Sequence, residues 1–523
     1  MAPSKSAPST AAASEGCSQQ NVWHLDWDFP HRPFDAMPVP ANLAQIDHFI
    51  VLMMENRSFD HIFGFQYEAA QGGLNGNESN LIDPVLPENG SVTVSPATAF
   101  AMPYDPGHEF PDVQCQIHGP PGAVGLAPMC GFLYSALNPP SGPAPSAQDG
   151  ARVMQCFRPA QMPVLSTLAA QFAVANAWYS SLPGPTWPNR FFIHAATSGG
   201  LTDSPNDLEV IRGYSFDGDT IYDRLSGAGL DWRIYHDGLP QTAGIQSLRT
   251  EYIDPKTEHF RDFTMFAADA AAGRLPHYTF IEPDYDTGNN YQGGNSMHPL
   301  NDVRRGDDLV RQVYLSVRNS GYWTNTMLII TFDEHGGFFD HCVPPAAVPT
   351  GDDYRYATPG RGFGFDRYGI RVPNLIISAY TAAGTVLDGL NNPNLVFDHT
   401  SVLATVESRY EMKPLTSRDK AANSLVPALN LQNPRTDAPV QLPAEPADLV
   451  APNAAVPAAA QGTSPLSSNQ QSFLALATAC KLGMSATPSS QPAIWSAHQE
   501  VQTQAQAAAY ISSIEQQILN QRQ

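Results

Sequence analysis

Glu55 and Asn56 directly follow the apolar run IDHFIVLMM (46–54), and Asp333 and Glu334 directly follow TMLIITF (326–332). Each run therefore ends in a pair of hard oxygen donors, the side-chain type that holds a divalent cation. Carboxylates at strand ends are ordinarily solvated loop residues or helix caps. Two pairs, each beside glycines or a further acidic residue, favour chemistry. A third stretch is SLPGPTWPNRFFIHAATSGG (181–200). Its Pro183, Gly184 and Pro185 force an irregular turn, and Pro188 suits the first turn of a helix running on through FFIHAATS. Thr186 then lies at or just before a helix N-terminus, where free N–H groups and the helix dipole favour an anion. The plain use of such a threonine is an N-cap. The chemical use is a nucleophilic hydroxyl whose pKa a metal lowers. Asn189 and Arg190, within one turn, would assist phosphate binding. His108, His236 and His298 stand in polar loops or at strand-to-loop boundaries. Each alone reads as structural, but beside an acidic cluster and a helix N-terminus they suggest phosphate or leaving-group contacts. Asp302 is placed to orient His298 or to stand beside the metal.

The elements that must position these residues are visible as short apolar runs alternating with amphipathic stretches. Besides the two runs above there are LDWRIY near 230, HYTFIEP near 280 and VPNLIIS at 372–378. Helix-like stretches are PVLSTLAAQFAVAN (163–176), DDLVRQVYLSVRN (307–319) and SVLATVESRY (401–410). This alternation predicts an α/β fold with a mostly parallel central sheet, helices on both faces and long irregular loops. Ligands of such sheets bind beyond the carboxyl ends of the strands, where the oxygen donors fall. Residues 1–40 read as a leader and N-terminal extension, 41–430 as the catalytic domain, and 431–523 as a Pro/Ala-rich linker with a Gln/Ala-rich helical tail.

Composition narrows the class. The chain has 523 residues, with 28 basic and 50 acidic side chains for a net charge of −22, and 42% hydrophobic residues. That is enough apolar material for a large core, and there is no basic footprint for nucleic acid. No uninterrupted apolar run reaches the roughly 18 residues of a membrane-spanning helix. The 47 prolines and 39 glycines point to long ordered loops. The six cysteines include no close metal-type pair, and Cys115, Cys130 and Cys156 are the candidates for disulfides. The N-terminal MAPSKSAPSTAAASEG lacks an export signal's pattern. A periplasmic or secreted protein without its signal is the expectation, with a cytoplasmic one also compatible.

ENRSFDHIFG (55–64), GPTWPNRFF (184–192), HPLND (298–302), DEHGGFFDH (333–341) and FDHTSVL (397–403) together resemble one family. It is the bacterial phosphoesterase family of phosphatidylcholine-type phospholipases C and respiratory-burst-inhibiting acid phosphatase, a branch of the alkaline phosphatase superfamily. The resemblance implies an alkaline-phosphatase-like fold and a metal bound by Glu55, Asn56, Thr186, Asp333 and Glu334. It implies Thr186 as nucleophile, a phosphothreonine intermediate, and His108, His236 and His298 as phosphate contacts. An all-oxygen ligand set suits one Ca²⁺, Mg²⁺ or Mn²⁺ better than Zn²⁺, which is still possible. Threonine at the nucleophile position is similar to the phospholipase C branch, whereas the short Pro/Ala-rich C-terminal region is closer to the phosphatase branch. The expectation leans to an acid phosphatase, with phospholipase C as the close alternative and a non-catalytic phosphate or headgroup binder as the rival of another class. Protonated histidines on phosphate would give an acidic pH optimum. The partner is a phosphate ester or a phospholipid headgroup, the latter with peripheral membrane contact and with Trp187 and the tyrosines near 285–291 as choline-facing candidates. The oligomeric state is open.

Overall fold

A computed structural model describes residues 39–522 except 124, 141–142, 445, 447–448, 450–464 and 486–487. The expected leader up to residue 38, with Cys17, and most of the Pro/Ala-rich linker lie outside the described residues. The main sheet has eight strands. In chain order they are β1 (His48–Met54), β2 (Ala173–Ala175), β3 (Trp232–His236), β4 (Phe260–Asp262), β5 (Tyr278–Glu282), β6 (Thr326–Phe332), β7 (Asn374–Ser378) and β8 (Thr385–Leu387). Across the sheet they run β8-β2-β7-β6-β1-β5-β3-β4. β1 pairs in parallel with both β6 and β5, and β3 in parallel with β5 and β4. β7 is antiparallel to β6 and β2. The sheet is mostly parallel, as expected.

The central strands are continuous apolar runs for a physical reason. Every residue from Phe49 to Met54, and all of β6, is buried, so both faces of these strands are covered. Burying each large aliphatic side chain contributes about 1.5–3 kcal/mol, and a strand covered twice has no polar face to alternate with. The helices used below are α1 (Phe110–His118), α2 (Pro163–Gln171), α3 (Thr186–Ala195), α4 (Val303–Arg318), α5 (Thr400–Tyr410), α6 (Ser468–Met484), α7 (Gln491–Gln499) and α8 (Gln504–Arg522). In α4 the apolar stripe Val303, Val310, Val313, Tyr314 and Val317 is buried. Its Asp307 carboxylate accepts from Val164 N (3.0 Å) and Leu165 N (2.9 Å), satisfying the free N-terminal donors of α2.

Some expectations change. The stretch 163–176 is not one helix: it ends at Gln171, and Ala173–Ala175 form β2. Cys115 and Cys156 are free thiols, so neither forms the expected disulfide. Cys156 is instead packed in an apolar cluster with Val153, Met154 and Phe339. In the tail, Phe473, Leu476, Ile511, Ile514 and Ile518 are buried in the main core, so α6 and α8 are docked on the catalytic body.

Candidate active site

Glu55 and Asp333 emerge from the carboxyl ends of neighbouring parallel strands, where Met54 is in register with Phe332. Asn56 takes a left-handed φ of 58°, which turns the chain so that its N–H donates to Asp333 Oδ1 at 3.0 Å. The facing turn needs glycine. Gly336 has φ +66°, and a Cβ there would stand 2.1 Å from the Asn56 carbonyl oxygen. Gly336 N also donates to Glu334 Oε2 at 2.7 Å, fixing that carboxylate.

The helix α3 begins at Thr186. Thr186 Oγ1 accepts from the Asn56 amide nitrogen at 3.1 Å, and the same nitrogen is in close contact with Glu334 Oε1. Thr186, Asn56 and Glu334 thus share one small buried space, with Asp333 beside it. Both carboxylate oxygens of Glu55 and the amide oxygen of Asn56 are buried with no hydrogen-bond partner. Burial, reinforced by Asp333, pushes the Glu55 carboxyl up to about 8. Burial, partly offset by His108, pushes Glu334 up to about 7. Asp333 is also raised by burial, against the pull of Arg190. Orphaned oxygens on carboxyls that resist ionisation are what a donor set for a divalent cation shows without its ion. A half-turn of the Asn56 amide presents an oxygen to the same space. The residues therefore fit a hard cation held by Glu55, Asn56, Thr186, Asp333 and Glu334.

Asn189 and Arg190 both brace this cluster, with Arg190 Nη1 left as a buried donor without a hydrogen-bond partner. Asn189 Oδ1 accepts from Leu182 N (3.1 Å), and its Nδ2 donates to the carbonyls of Leu182, Gly184 and Pro185 at 3.2, 2.8 and 3.1 Å. Both its polar atoms are consumed in shaping the Pro-Gly-Pro turn that presents Thr186. Arg190 Nε pairs with Asp333 Oδ2 at 3.0 Å, and its Nη2 holds the carbonyls of Met53 and Met54 at 2.9 and 3.2 Å. Asp302, expected beside His298 or the metal, instead caps α4 through Arg304 N (3.1 Å) and pairs with the Arg304 guanidinium.

Two of the three expected histidines meet. The rings of His108 and His298 lie 6.4 Å apart. Asp105 stands by both, 3.9 Å from His108 Nδ1 and 3.6 Å from His298 Nε2. His108 Nδ1 is bonded to the Pro106 carbonyl at 2.7 Å, which leaves Nε2 as its free end. Burial opposes its charge, but Glu334 and then Asp105 and Glu109 prevail and lift it to about 10. His298 is pulled down by burial, with Asp105 working against that. Its Nδ1 accepts from Leu300 N at 3.3 Å, so in the neutral ring the proton resides on Nε2. His236 is not part of this group. It ends β3, bonds the Gly238 carbonyl at 2.8 Å, and lies against Tyr252 and Phe260 with ring separations of 5.3 and 6.1 Å. Burial, then Arg522 of the tail, lowers it to about 4.

Asp105, His335 and His399 were not singled out from sequence. His335 Nε2 bonds Gln116 Oε1 at 2.7 Å while its Nδ1 lies 3.3 Å from Glu334 Oε2. His399 Nε2 bonds the Asp333 carbonyl at 2.7 Å. Their signal was present, since each lies within a quoted motif or three residues from a chosen histidine. Asp340, His341 and Cys342 also bring potential ligand atoms within 4.8 Å of one another. The Arg371 guanidinium already bridges Asp340 and Asp60 there at 2.9 Å each, and His341 pairs with Asp60 at 2.7 Å. Cationic side chains fill that cluster, which acts as a clamp between the segments following β1 and β6.

The phosphoesterase family matches residues 46–413, a span that runs from β1 past α5. The chain belongs to the phosphoesterase family. This phosphoesterase is 37% identical over 403 residues to non-specific phospholipase C6 of Arabidopsis thaliana, covering 75% of this chain and 74% of that protein. It is 36% identical over 406 residues to non-specific phospholipase C1 of the same plant, covering 75% and 73%. Phospholipase C B of Mycobacterium tuberculosis is 28% identical over 451 residues, covering 77% and 81%. A solved alkaline phosphatase superfamily protein from Vibrio parahaemolyticus superposes with a TM-score of 0.33 at 12% identity, covering 73% of this chain and 70% of that one. Membership makes this phosphoesterase a phosphoric ester hydrolase. Its named relatives correspond to the phospholipase C alternative rather than to the acid phosphatase.

Proposed function

We propose that this phosphoesterase is a phospholipase C that cleaves phosphatidylcholine-type lipids through a covalent phosphocholine ester of Thr186. The observation that carries the reading is the placement of Thr186 Oγ1 at the start of α3, 3.1 Å from the Asn56 amide that also touches Glu334, at the strand ends where both Glu55 carboxylate oxygens lack a hydrogen-bond partner. One divalent cation held by Glu55, Asn56, Thr186, Asp333 and Glu334 would supply the charge that ionises the Thr186 hydroxyl. The oxygen donors favour Ca²⁺, Mg²⁺ or Mn²⁺. The Thr186 oxygen attacks phosphorus, and the phosphorus–oxygen bond to the diacylglycerol breaks. The N–H groups opening α3 face the new phosphoryl oxygens, and His108, held charged, offers them a cationic donor. The neutral His298 Nε2–H, beside Asp105, donates a hydrogen bond to the departing oxygen, and the proton given up by the Thr186 hydroxyl is the one the alkoxide gains overall. Water then attacks the phosphorus of the phosphocholine ester on Thr186, breaking its bond to the threonine oxygen, releasing phosphocholine and restoring the hydroxyl. The named relatives support the lipid substrate, and the threonine nucleophile fits that branch. Among the described residues no helix is long and apolar enough to cross a membrane, so a lipid is met by peripheral contact.

The test compares phosphocholine release from phosphatidylcholine vesicles with inorganic phosphate release from a soluble monoester such as p-nitrophenyl phosphate. Prominent phosphocholine release with little monoester turnover is expected. Rapid monoester turnover with no phosphocholine would restore the acid phosphatase reading. Phosphate binding without turnover of either would establish a binding protein.

A further inference from the structure

The family match ends at residue 413, yet a residue far beyond it joins two parts of the site. Asn469, in the first turn of α6, is 7% exposed. Its Oδ1 accepts from Trp187 Nε1 at 2.9 Å, and its Nδ2 donates to the Tyr291 hydroxyl at 3.1 Å. Trp187 is the residue next to Thr186. The Tyr291 ring lies flat on the His298 imidazole, 3.5 Å between centroids and 6° from parallel. One amide therefore ties the start of the nucleophile's helix to the platform beneath a phosphate-facing histidine.

The loop carrying that histidine needs outside support. Asp286, Asn290, Tyr291 and Met297 all have left-handed φ, at 44°, 50°, 64° and 74°. Non-glycine residues hold such backbone only where surrounding structure imposes it. The tail supplies part of it: Gln470 Nε2 donates to the Thr287 carbonyl at 2.9 Å, Phe473 packs on Tyr285 and Trp187, and Gly288 lies so close to Ala508 of α8 that a Cβ would stand 2.6 Å from its Cα.

Resting on the reading of Thr186 and His298 above, we propose that Asn469 is a positioning residue of the active site, setting the spacing of the nucleophile and the histidine through Trp187 and Tyr291. Misplacement of reacting groups by about 1 Å can cost on the order of 100-fold in rate. Asn469→Leu, which keeps the branched outline and removes both hydrogen bonds, is expected to lower kcat by about ten- to a hundredfold on that basis, with KM little changed. Tyr291→Phe keeps the ring stack and loses the hydroxyl, so it should lower kcat in the same direction. Combined with Asn469→Leu it should add less than its separate effect, because both cut one chain of contacts. Thr478→Val is the control for mere loosening of the tail, since Thr478 bonds only within it, to His498 (3.0 Å), Tyr510 (3.2 Å) and the Leu474 carbonyl (2.9 Å). At an equal fall in Tm it should retain wild-type kcat. The proposal is overturned if Thr478→Val and Asn469→Leu lose kcat alike, or if Asn469→Leu keeps it. Should Asn469→Leu not fold, Tyr291→Phe decides alone, and unchanged kcat there overturns the proposal. Thr186→Ala is assayed alongside: turnover retained by it would defeat the reading of the nucleophile, whatever the Asn469 result.

Discussion

His108 shows how a single side chain changes the functional expectation. A histidine near its usual pKa would bind phosphate as a cation only in acid, which is why the sequence pointed to an acidic optimum. Here Glu334 and Asp105 hold the imidazolium against the cost of burial, at about 10. Its charge is present below that value and is lost as pH rises through it. Replacing it with glutamine should cost turnover on the order of 100-fold, the scale of losing one charged donor to the transition state. Steady-state assays should find that loss at pH 5 and at pH 8 alike. A loss confined to pH 5 would return the histidine to an ordinary pKa and revive the acid phosphatase expectation. Asn189 and Arg190 teach the complementary lesson. Their types and spacing suit a phosphate, but hydrogen-bond partners supplied by Pro185, Leu182, Met53 and Asp333 are distant in sequence or set by loop shape, and no spacing rule reveals them. Asp105 stands three residues before His108 in the sequence, but its approach to His298 exists only in the fold.

At the scale of elements, the central strands were legible because burial on both faces leaves an unbroken apolar run, as in IDHFIVLMM and TMLIITF. The short strands Phe260–Asp262, at one edge of the sheet, and Ala173–Ala175, next to the other edge, carry no such run, and the second falls within a helix-like stretch. The carboxyl-end rule placed the donors correctly because Glu55 and Asp333 sit on adjacent parallel strands. What sequence did not show is how the loops after those strands are held together. Arg371, on the approach to β7, is fully buried and joins Asp60 after β1 to Asp340 after β6. Arg371→Met would leave two buried carboxylates without their guanidinium. The expected loss is about 3–5 kcal/mol of unfolding free energy, the usual result of breaking a buried pair from one side. Urea unfolding measures it, and an unchanged midpoint would show that the clamp contributes nothing.

The whole molecule couples cation, protons and stability. Glu55 and Glu334 have folded pKa values of about 8 and about 7, above their ordinary range. Raised carboxyls favour the folded state at low pH, and that contribution disappears as pH climbs through those values. Chelator-treated protein should therefore lose Tm between pH 6 and pH 9, and a divalent cation should restore it most at pH 9, since binding requires the deprotonated carboxylates. Thermal scans with and without Ca²⁺, Mg²⁺ or Mn²⁺ check both statements, and a Tm shift that is independent of pH would contradict them. The net charge of −22 sharpens the point. Such a chain repels anionic groups at a distance, so His108, the α3 N-terminus and a cation held at Glu55, Asn56, Thr186, Asp333 and Glu334 would supply the local positive field.

The central claim is that Thr186 carries the phosphoryl group during turnover. Rapid acid quench of the enzyme with phosphatidylcholine vesicles, followed by peptide mass spectrometry, reads it directly. The expected result is a phosphocholine mass on the peptide containing Thr186, appearing before free phosphocholine accumulates and absent in Thr186→Ala. Sustained phosphocholine release by Thr186→Ala, or a phosphocholine adduct found on another residue, would contradict the account.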